Sequence, residues 1–363
     1  MQTSTYICEL IEFSIDSLRR MQLPSGLFCL ERRRGDPQPH GLSHRYSVMV
    51  ALGLLKARAA GYGQPFDIDT IRRALVERLD APELKPGDVG LQLWLDVVAG
   101  GKDAPALVDR LEKLAPFEEC EGMEVAWIVQ GLALEHARGG SAEAKRLLEQ
   151  VLGLLLGRNR STSGLFYHHG SSGPRRLLPN FATEIYSVLA LSTVARLGLD
   201  GRAEEAARAA ADVLLARQLG DGGWPWLYDA RDGRVVESYE VHSVHQHAMA
   251  PMGLLALTEA CGDERYAYAA VRGLGWIQGR NELGIDMVDE GDGMIYRSLR
   301  RRGPWDRLAL YANTAGTVTL RRPLFGNRWA ELNATCRPYE LGWLLEAWCG
   351  REQTIGTHRP VSG

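Results

Sequence analysis

The sequence predicts an all-α protein, a closed (α/α)6 toroid in which six helical hairpins surround a common axis. Three observations support this fold class. Helical periodicity recurs along the whole chain of 363 residues, similar turns repeat between helices, and strand-like alternation is confined to short pieces. Hairpins of this kind bury their apolar faces only by stacking on one another. No Pro/Ser-rich linker interrupts the chain, so residues 1–363 are predicted to form a single domain.

Apolar residues at helical spacing predict twelve helices, which pair in chain order into six hairpins. The first six are Leu10–Arg20, Tyr46–Ala59, Ile71–Leu79, Leu91–Val98, Ala104–Leu114 and Glu124–Glu135. The last six are Ala142–Leu156, Thr183–Leu197, Ala203–Arg217, His242–Ala260, Arg265–Ile277 and Glu340–Cys349. Two short pieces alternate as strands do, Gly164–His168 and Gly293–Leu299. The second helix of each pair is expected to lie on the inner side.

A similar turn follows the first helix of three hairpins. Its sequence is SGLF at Ser25–Phe28 and Ser163–Phe166, and DGGW at Asp221–Trp224. The second helix of each of these hairpins then begins near a Tyr-Ser-Val or His-Ser-Val triplet. Aligning the triplets predicts that three residues occupy one repeat position, namely Tyr46, Tyr186 and His242.

Composition narrows the range of functions. The chain is 45% hydrophobic and 24% charged, and its formal net charge of -3 gives no basic footprint for nucleic acid. None of the six cysteines has CxxC spacing, and the N-terminus shows no signal-peptide pattern, so we expect a cytoplasmic protein with reduced thiols. No apolar run is long enough for an integral membrane segment. The sequence leaves the oligomeric state open.

Two resemblances support the toroid. The segment from Val213 and Leu214 through Gln218, Gly222, Gly223 and Trp224 resembles the QW repeat of terpenoid cyclases and protein prenyltransferases, although Val213 stands where an aromatic residue is usual. The wider pattern of hairpins resembles six-hairpin glycosidases and the α/α-toroid polysaccharide lyases and sugar epimerases. Both resemblances imply the same fold, but they imply different reactions.

The starts of the inner helices and the loops before them are expected to share one mouth of the toroid. Carboxylates, imidazoles, arginines and flat aromatic rings gather there in the sequence. Aromatic faces suit the C–H faces of sugars and the polar groups suit their hydroxyls, so we expect a carbohydrate-active enzyme with a small-molecule or oligosaccharide substrate. The expected substrate-binding residues are Arg45, Tyr46, Trp94, Trp127, Trp226, Tyr239, Arg337, Tyr339 and Trp343.

Five residues are candidates for the chemistry. Glu184 and Glu124 could serve as acid and base for glycoside cleavage. Tyr186, His242 or His245 could instead abstract a proton beside a uronate carboxylate, which Arg45 would neutralise. The sequence does not choose between a glycoside hydrolase, a lyase and an epimerase.

Structural roles compete with these functional ones. Glu184 and Glu124 could only complement the dipoles of their helices, and the tyrosines and tryptophans could be core residues. On a continuous helix His247 would point about 140° away from His242, so the three histidines could share one metal ion only if the segment were extended there. We therefore predict no metal and no cofactor.

The alternative hypothesis is an isoprenoid cyclase, on the evidence of the QW-like turn. The segment Phe66–Thr70 resembles the acidic motif of class II terpene cyclases, but Thr70 replaces its last aspartate. Asp69 or Thr70 also suits the N-cap of a helix. A third hypothesis is a glycan- or peptide-binding scaffold without chemistry.

Overall fold

The computed structural model describes residues 3–303, 305–322, 324–325 and 330–352. These ranges contain thirteen α-helices. The first seven are α1 (Thr3–Arg19), α2 (His44–Ala59), α3 (Ile68–Val76), α4 (Pro86–Val98), α5 (Ala104–Leu114), α6 (Gly122–Ala137) and α7 (Ala142–Gly153). The others are α8 (Phe181–Arg196), α9 (Ala203–Leu215), α10 (Ala250–Cys261), α11 (Glu264–Ile277), α12 (Trp305–Leu320) and α13 (Pro338–Trp348). Residues 353–363 of the predicted domain lie outside the described part.

Six helices form a closed inner ring. Helices α2, α4, α6, α8, α10 and α13 pack against one another in that order, and α13 closes the ring on α2. Helix α1 packs outside α13, while α3, α5, α7, α9 and α11 each pack outside the inner helix that precedes them. The predicted all-α toroid of six hairpins is therefore confirmed.

Burial patterns explain which helices lie inside. Helix α8 buries 14 of its 16 residues, because both its faces meet other helices. Helix α9 buries one stripe of alanines and Leu214 at helical spacing, which is typical of a helix with one wet face. Small residues let the inner helices approach closely. A Cβ atom on Gly53 of α2 would lie 2.0 Å from the carbonyl oxygen of Gly342 in α13.

Short β-strands lie in the connections between the helices. They are β1 (Glu31–Arg33), β2 (Asp36–His40), β3 (Leu227–Asp229), β4 (Arg234–Glu237), β5 (Val241–His242), β6 (Val288–Asp289), β7 (Met294–Ile295), β8 (Ser298–Arg301), β9 (Ala330–Asn333) and β10 (Thr335–Cys336). Strands β10, β1 and β2 form one sheet, β5, β8 and β9 form another, and β3–β4 and β6–β7 are two-stranded. The antiparallel register of β5 and β8 sets His242 opposite Ser298.

Two local predictions need correction, and one helix was missed. Gly164–His168 forms no strand and contributes only a bridge between Arg160 and Phe166. The helix predicted from His242 starts instead as β5 and continues as a π-helical turn over His245–Met249 before α10. Helix α12 was not predicted, because its sequence carries glycine and three threonines, which are weak helix formers.

Proline explains how the irregular start of α10 is accommodated. Pro251 has no amide proton, so it cannot bond to the carbonyl of His247 four residues earlier. The indole Nε1 of Trp348 donates to that carbonyl at 2.7 Å. A side chain of the neighbouring inner helix α13 thus satisfies the acceptor that the proline leaves free.

The repeated turns are real, but their alignment with the inner helices differs from the prediction. The amides of Phe28, Phe166 and Trp224 donate to Ser47, Glu184 and Gln246, respectively. Each acceptor stands four residues after Ser43, Asn180 or His242, so these three residues share one repeat position. Tyr46, Tyr186 and His242 therefore do not align. The triplet match was a local coincidence of sequence, whereas the turn contacts are set by packing.

None of the helices in the described ranges has the length and apolar character needed to cross a membrane.

Candidate active site

The mouth of the toroid is formed where the inner helices begin. Side-chain caps fix two of these first turns: Ser43 Oγ accepts from the amide of Tyr46 at 3.2 Å, and Asn180 Oδ1 accepts from the amide of Thr183 at 2.9 Å. Residues just after each cap are thereby held at the rim. Hydrogen-bond distances and ring contacts show which of the predicted side chains meet there.

Arg45 joins three inner helices. Its Nε donates to Asp88 Oδ1 at 2.5 Å, and its second terminal nitrogen donates to Glu124 Oε1 at 3.1 Å. Lys85 Nζ lies 3.6 Å from the same Glu124 oxygen. The Arg45 guanidinium also lies 5.0 Å from the centre of the Trp127 ring. Burial raises the pKa of the Glu124 carboxyl, against the opposing effect of Arg45 and Lys85.

A second cationic group contains Arg337. Its NH1 donates to the hydroxyl of Tyr46 at 2.7 Å, and the Tyr46 ring stacks on Tyr339 with 4.6 Å between centroids. Arg337 Nε is buried without a hydrogen-bond partner. Among the described residues, no carboxylate lies within ion-pairing distance of the Arg337 side chain. An anionic or strongly polar ligand group would complete its contacts.

Arg297 lies close by, although nothing in its local sequence singled it out. The amide of Ser243 donates to the Arg297 carbonyl at 2.8 Å, so the pairing of β5 with β8 brings Arg297 beside the histidines. Its NH1 donates to Glu340 Oε1 at 2.6 Å. Burial raises the pKa of Glu340 to about 7, although Arg297 favours its ionised form.

His242 and His245 form an aromatic group with Trp226. Their ring centroids are 5.0 Å apart, and the Trp226 ring stacks on His245 at 5.7 Å with an angle of 8° between the planes. Nδ1 of each histidine is buried without a hydrogen-bond partner. Glu240 Oε2 lies 3.9 Å from His242 Nδ1 and accepts from Ser298 Oγ at 2.7 Å.

Both imidazoles are neutral at physiological pH. Burial lowers the pKa of His242 well below its usual value, and the charge of Arg297 acts in the same direction. Burial, again with Arg297, lowers the pKa of His245 to about 3. A neutral imidazole with a free ring nitrogen is able to accept a proton from a bound ligand.

Aromatic rings form the base of the mouth. Trp343 Nε1 donates to the Tyr186 hydroxyl at 2.6 Å, and Trp127 meets the Tyr186 ring edge-on at 5.0 Å. Trp94 stacks on Trp343 at 5.7 Å. Burial raises the pKa of Tyr186 well above its usual value, so the phenol stays protonated. This geometry favours Tyr186 as a hydrogen-bonding group rather than as a base, and the fully buried Trp343 as its support.

Two predicted site residues are engaged elsewhere. Glu184 has no exposed surface, and both of its carboxyl oxygens accept from the amide of Phe166 at 3.1 Å. Tyr239 is hydrogen-bonded to Glu282, and Arg301 lies over its ring at 4.8 Å. These contacts favour structural roles for both residues.

The remaining sequence hypotheses have structural explanations. The Gln218 amide donates to the carbonyls of Gly222 and Ala269 at 2.9 and 3.0 Å, so the QW-like turn ties α11 to the turn after α9. Asp67 is exposed and caps α3 through the amides of Asp69 and Thr70. Within the described ranges, no three His, Cys, Asp or Glu side chains converge as metal ligands.

No protein-family model matches this sequence, and no curated protein matches it either. Several solved structures do match it. A sugar epimerase from a ruminal bacterium superposes with a TM-score of 0.62 at 11% identity, covering 95% of this chain and 99% of that one. The cellobiose 2-epimerase of Bacillus thermoamylovorans superposes with a TM-score of 0.61 at 10% identity, covering 96% of this chain and 99% of that one. An unsaturated glucuronyl hydrolase specific for heparin superposes with a TM-score of 0.65 at 12% identity, covering 98% of both chains. These similarities support the (α/α)6 toroid fold.

Proposed function

We propose that the protein is a carbohydrate-active enzyme that transfers a proton at a sugar carbon through His242 and His245. One observation carries the proposal: two neutral imidazoles with unpartnered nitrogens lie side by side at the mouth, next to Trp226. The carboxylates that begin the inner helices are engaged by the protein itself. Asp88 and Glu124 hold Arg45, Glu184 holds Phe166, and Glu340 holds Arg297. Similar folds in sugar epimerases support the assignment.

The chemistry follows from the arrangement. One imidazole removes the C2 proton of an open-chain aldose, and the C–H electron pair forms a C1–C2 double bond. The carbonyl π pair moves onto the C1 oxygen, where Arg337 stabilises the negative charge. The imidazolium formed in this step releases its proton to solvent, and the second imidazole takes up a proton from solvent and delivers it to C2 on the opposite face. The electron pair on the C1 oxygen then re-forms the carbonyl, so both imidazoles are neutral again and the product is the epimer. Trp226 and the stacked pair Tyr46–Tyr339 supply flat surfaces for the sugar.

Deuterium exchange tests this proposal. The protein is incubated in D2O with a panel of reducing monosaccharides, disaccharides and uronates, and the C2 proton is followed by NMR. We expect loss of the C2 signal and appearance of the epimer for at least one sugar. Absence of exchange from the whole panel, with a folded protein, would refute proton transfer at C2.

Glycoside hydrolysis is the second candidate, and the burial of Glu124 favours it. Because burial raises the pKa of this carboxyl, it is able to carry a proton to a glycosidic oxygen. Hydrolysis would release a new reducing end without deuterium at C2, and Glu124→Gln would abolish it. The same NMR experiment therefore separates the two reactions.

The cellular setting belongs to the proposal as well. All six cysteines are unpaired in the structure, which supports a reducing compartment such as the cytoplasm. The isoprenoid cyclase hypothesis receives less support for two reasons. The similar structures are named as enzymes of saccharides. Asp67, in the segment that resembles the cyclase motif, caps helix α3.

A further inference from the structure

A cleft opens from the mouth between the segment that leads into α2 and the connection from α3 to α4. Its volume is about 340 Å³, within the range of roughly 300–1,000 Å³ typical of small-ligand pockets. Arg45, Tyr46 and Asp88 line this cleft, and each of them also belongs to the mouth. A ligand held at the mouth is therefore able to extend into the cleft without a break.

We propose that this cleft is a subsite for a second, uncharged sugar unit, so that the substrate is a disaccharide or a longer glycan. The inference rests on the proposed function, because it names the substrate class of the same site. It is carried by the shape of the cleft, the chemistry of its walls and the pairing of its charges.

The walls offer both kinds of surface that a hexose needs. Leu30 and Leu42 both line the cleft and are 41% and 39% exposed. Leu30 lies against Gly41, the residue before Leu42, where an added Cβ would lie 3.1 Å from Leu30 Cβ. Apolar side chains of this kind suit the C–H face of a sugar ring.

The polar side of the cleft has spare hydrogen-bonding capacity. Arg78 Nε has no partner. His44 is 6% exposed; its Nε2 pairs with Gln92 Oε1 at 3.0 Å, while its Nδ1 has no partner. These unsatisfied atoms lie on residues that line the cleft or support its wall. Sugar hydroxyls both donate and accept, so they match such a mixed wall.

Charge pairing indicates that the second unit is neutral. Arg78 donates to Glu83 at 2.5 Å, and Arg45 donates to Asp88 at the same distance. Lys85 Nζ lies 3.6 Å from Glu124. Every charged side chain of the cleft thus has an opposite charge beside it. A uronate or phosphate in this position would have to compete with those carboxylates.

The test compares sugars of two lengths on proteins with an altered cleft. Glucose and the disaccharides cellobiose, lactose and maltose are offered to the wild type, Leu42→Trp and Arg78→Ala. Leu197→Trp is the matched control, because Leu197 is 36% exposed at the end of α8 and lies outside the cleft. Saturation-transfer NMR measures binding, and C2 deuterium exchange measures turnover.

We expect the wild type to bind at least one disaccharide about tenfold more tightly than glucose. Leu42→Trp fills the cleft and should remove that preference, while glucose binding stays within about twofold. Arg78→Ala should weaken the preference for the disaccharide, and Leu197→Trp should behave as wild type. Equal binding of glucose and all three disaccharides by the wild type, or a preference that survives Leu42→Trp, would overturn the subsite.

Failure of the subsite and failure of the proposed function give different results. Disaccharide binding that depends on Leu42 but is accompanied by no C2 exchange supports the cleft and contradicts epimerisation. Exchange with equal efficiency on glucose and disaccharides supports epimerisation and contradicts the cleft. If none of these sugars binds to the folded wild type, the subsite is refuted, while the proposed function is decided by C2 exchange on the whole panel of monosaccharides, disaccharides and uronates.

Discussion

Both carboxyl oxygens of Glu184 accept from the backbone amide of Phe166, at 3.1 Å each, in a site without solvent exposure. The contact ties an inner helix to the repeated turn that precedes it. Ser47 and Gln246 do the same in two other hairpins. The residue that the sequence suggests as a catalytic acid is thus hydrogen-bonded to the backbone of its own hairpin.

The first prediction concerns Glu184→Gln. Burial raises the pKa of Glu184 above its ordinary value of 4.5, so above pH 4.5 the unfolded chain loses a proton that the folded chain retains. Stability therefore falls as pH rises past 4.5. Glutamine keeps an acceptor for Phe166 without this penalty, so Glu184→Gln should unfold at a higher temperature at pH 7, with no advantage below pH 4.5.

Glu184→Ala is the matched control for that measurement. It leaves the buried Phe166 amide without an acceptor and should cost roughly 1–3 kcal/mol below pH 4.5. The cost relative to wild type should be smaller at pH 7, because alanine also lacks the titrating group. Both variants should retain activity if they remain folded. A selective loss of activity in a fully folded Glu184→Gln protein would restore Glu184 as a catalytic residue.

The second prediction concerns the imidazole pair. His242→Asn and His245→Asn should each lower C2 exchange by roughly 10²- to 10⁴-fold, the usual contribution of a general acid or base. Circular dichroism and melting temperature should stay close to wild type. His136→Asn is a suitable control, because His136 lies in the last turn of α6, at the other end from the mouth. Unchanged exchange in both mouth variants would contradict the assigned roles.

The third prediction is acid sensitivity of folding. His245 and His247 are buried, and burial lowers the pKa of each from 6.5 to about 3. Below pH 6.5 the unfolded chain binds protons that the folded chain does not, so stability falls as pH falls. Each such group costs about 1.4 kcal/mol per pH unit between 6.5 and 3.

A single substitution isolates the contribution of His247 to this pH dependence. Neither ring nitrogen of His247 has a hydrogen-bond partner, so His247→Leu removes the titrating group without leaving a polar partner unsatisfied. Urea titrations from pH 7 to pH 5 should show a pH dependence of the unfolding free energy shallower by about 1.4 kcal/mol per unit. An unaltered slope would mean that His247 is already protonated in the folded protein.

The fourth prediction concerns Arg45, which bridges Asp88 and Glu124. Arg45→Ala leaves two largely buried carboxylates without their main partner and should cost about 3–5 kcal/mol, reduced to the extent that Lys85 and solvent screen Glu124. Adding Glu124→Gln should recover part of the loss. A double-mutant cycle by urea denaturation measures this coupling, and a coupling of zero would contradict the bridge.

The fifth prediction concerns Arg337, whose side chain donates to Tyr46 and has a free Nε. If it stabilises the developing oxyanion, Arg337→Gln should lower kcat by roughly 10²- to 10³-fold and change KM much less. Tyr46→Phe removes only the hydroxyl and should have a smaller effect on kcat. An effect of Arg337→Gln on KM alone would assign this arginine to ground-state binding.

Much of the mouth could be predicted because it depends on short-range sequence. Ser43 and Asn180 are residue types that favour helix N-caps, and they begin α2 and α8 in the structure. Arg45 and Tyr46 lie in the first turn of α2, close to the start that its periodicity predicts. His242 and His245 instead lie in β5 and in the π-helical turn before α10. The pairing of strands is a long-range relationship, and for that reason Arg297 was missed: its place beside Ser243 depends on a contact across 54 residues.

The sequence by itself determined the twelve helices of the six hairpins and their order, because apolar periodicity acts within a few residues of the chain. Helix α12 and the irregular start of α10 were not determined in this way. The tertiary structure alone decided the roles within that mouth. It gave Glu184 to the Phe166 amide and Asp88 and Glu124 to Arg45, and it left Nδ1 of His242 and of His245 without a hydrogen-bond partner. The physical reason is that a side chain's role depends on which donors and charges surround it, and ring closure brings those from distant hairpins.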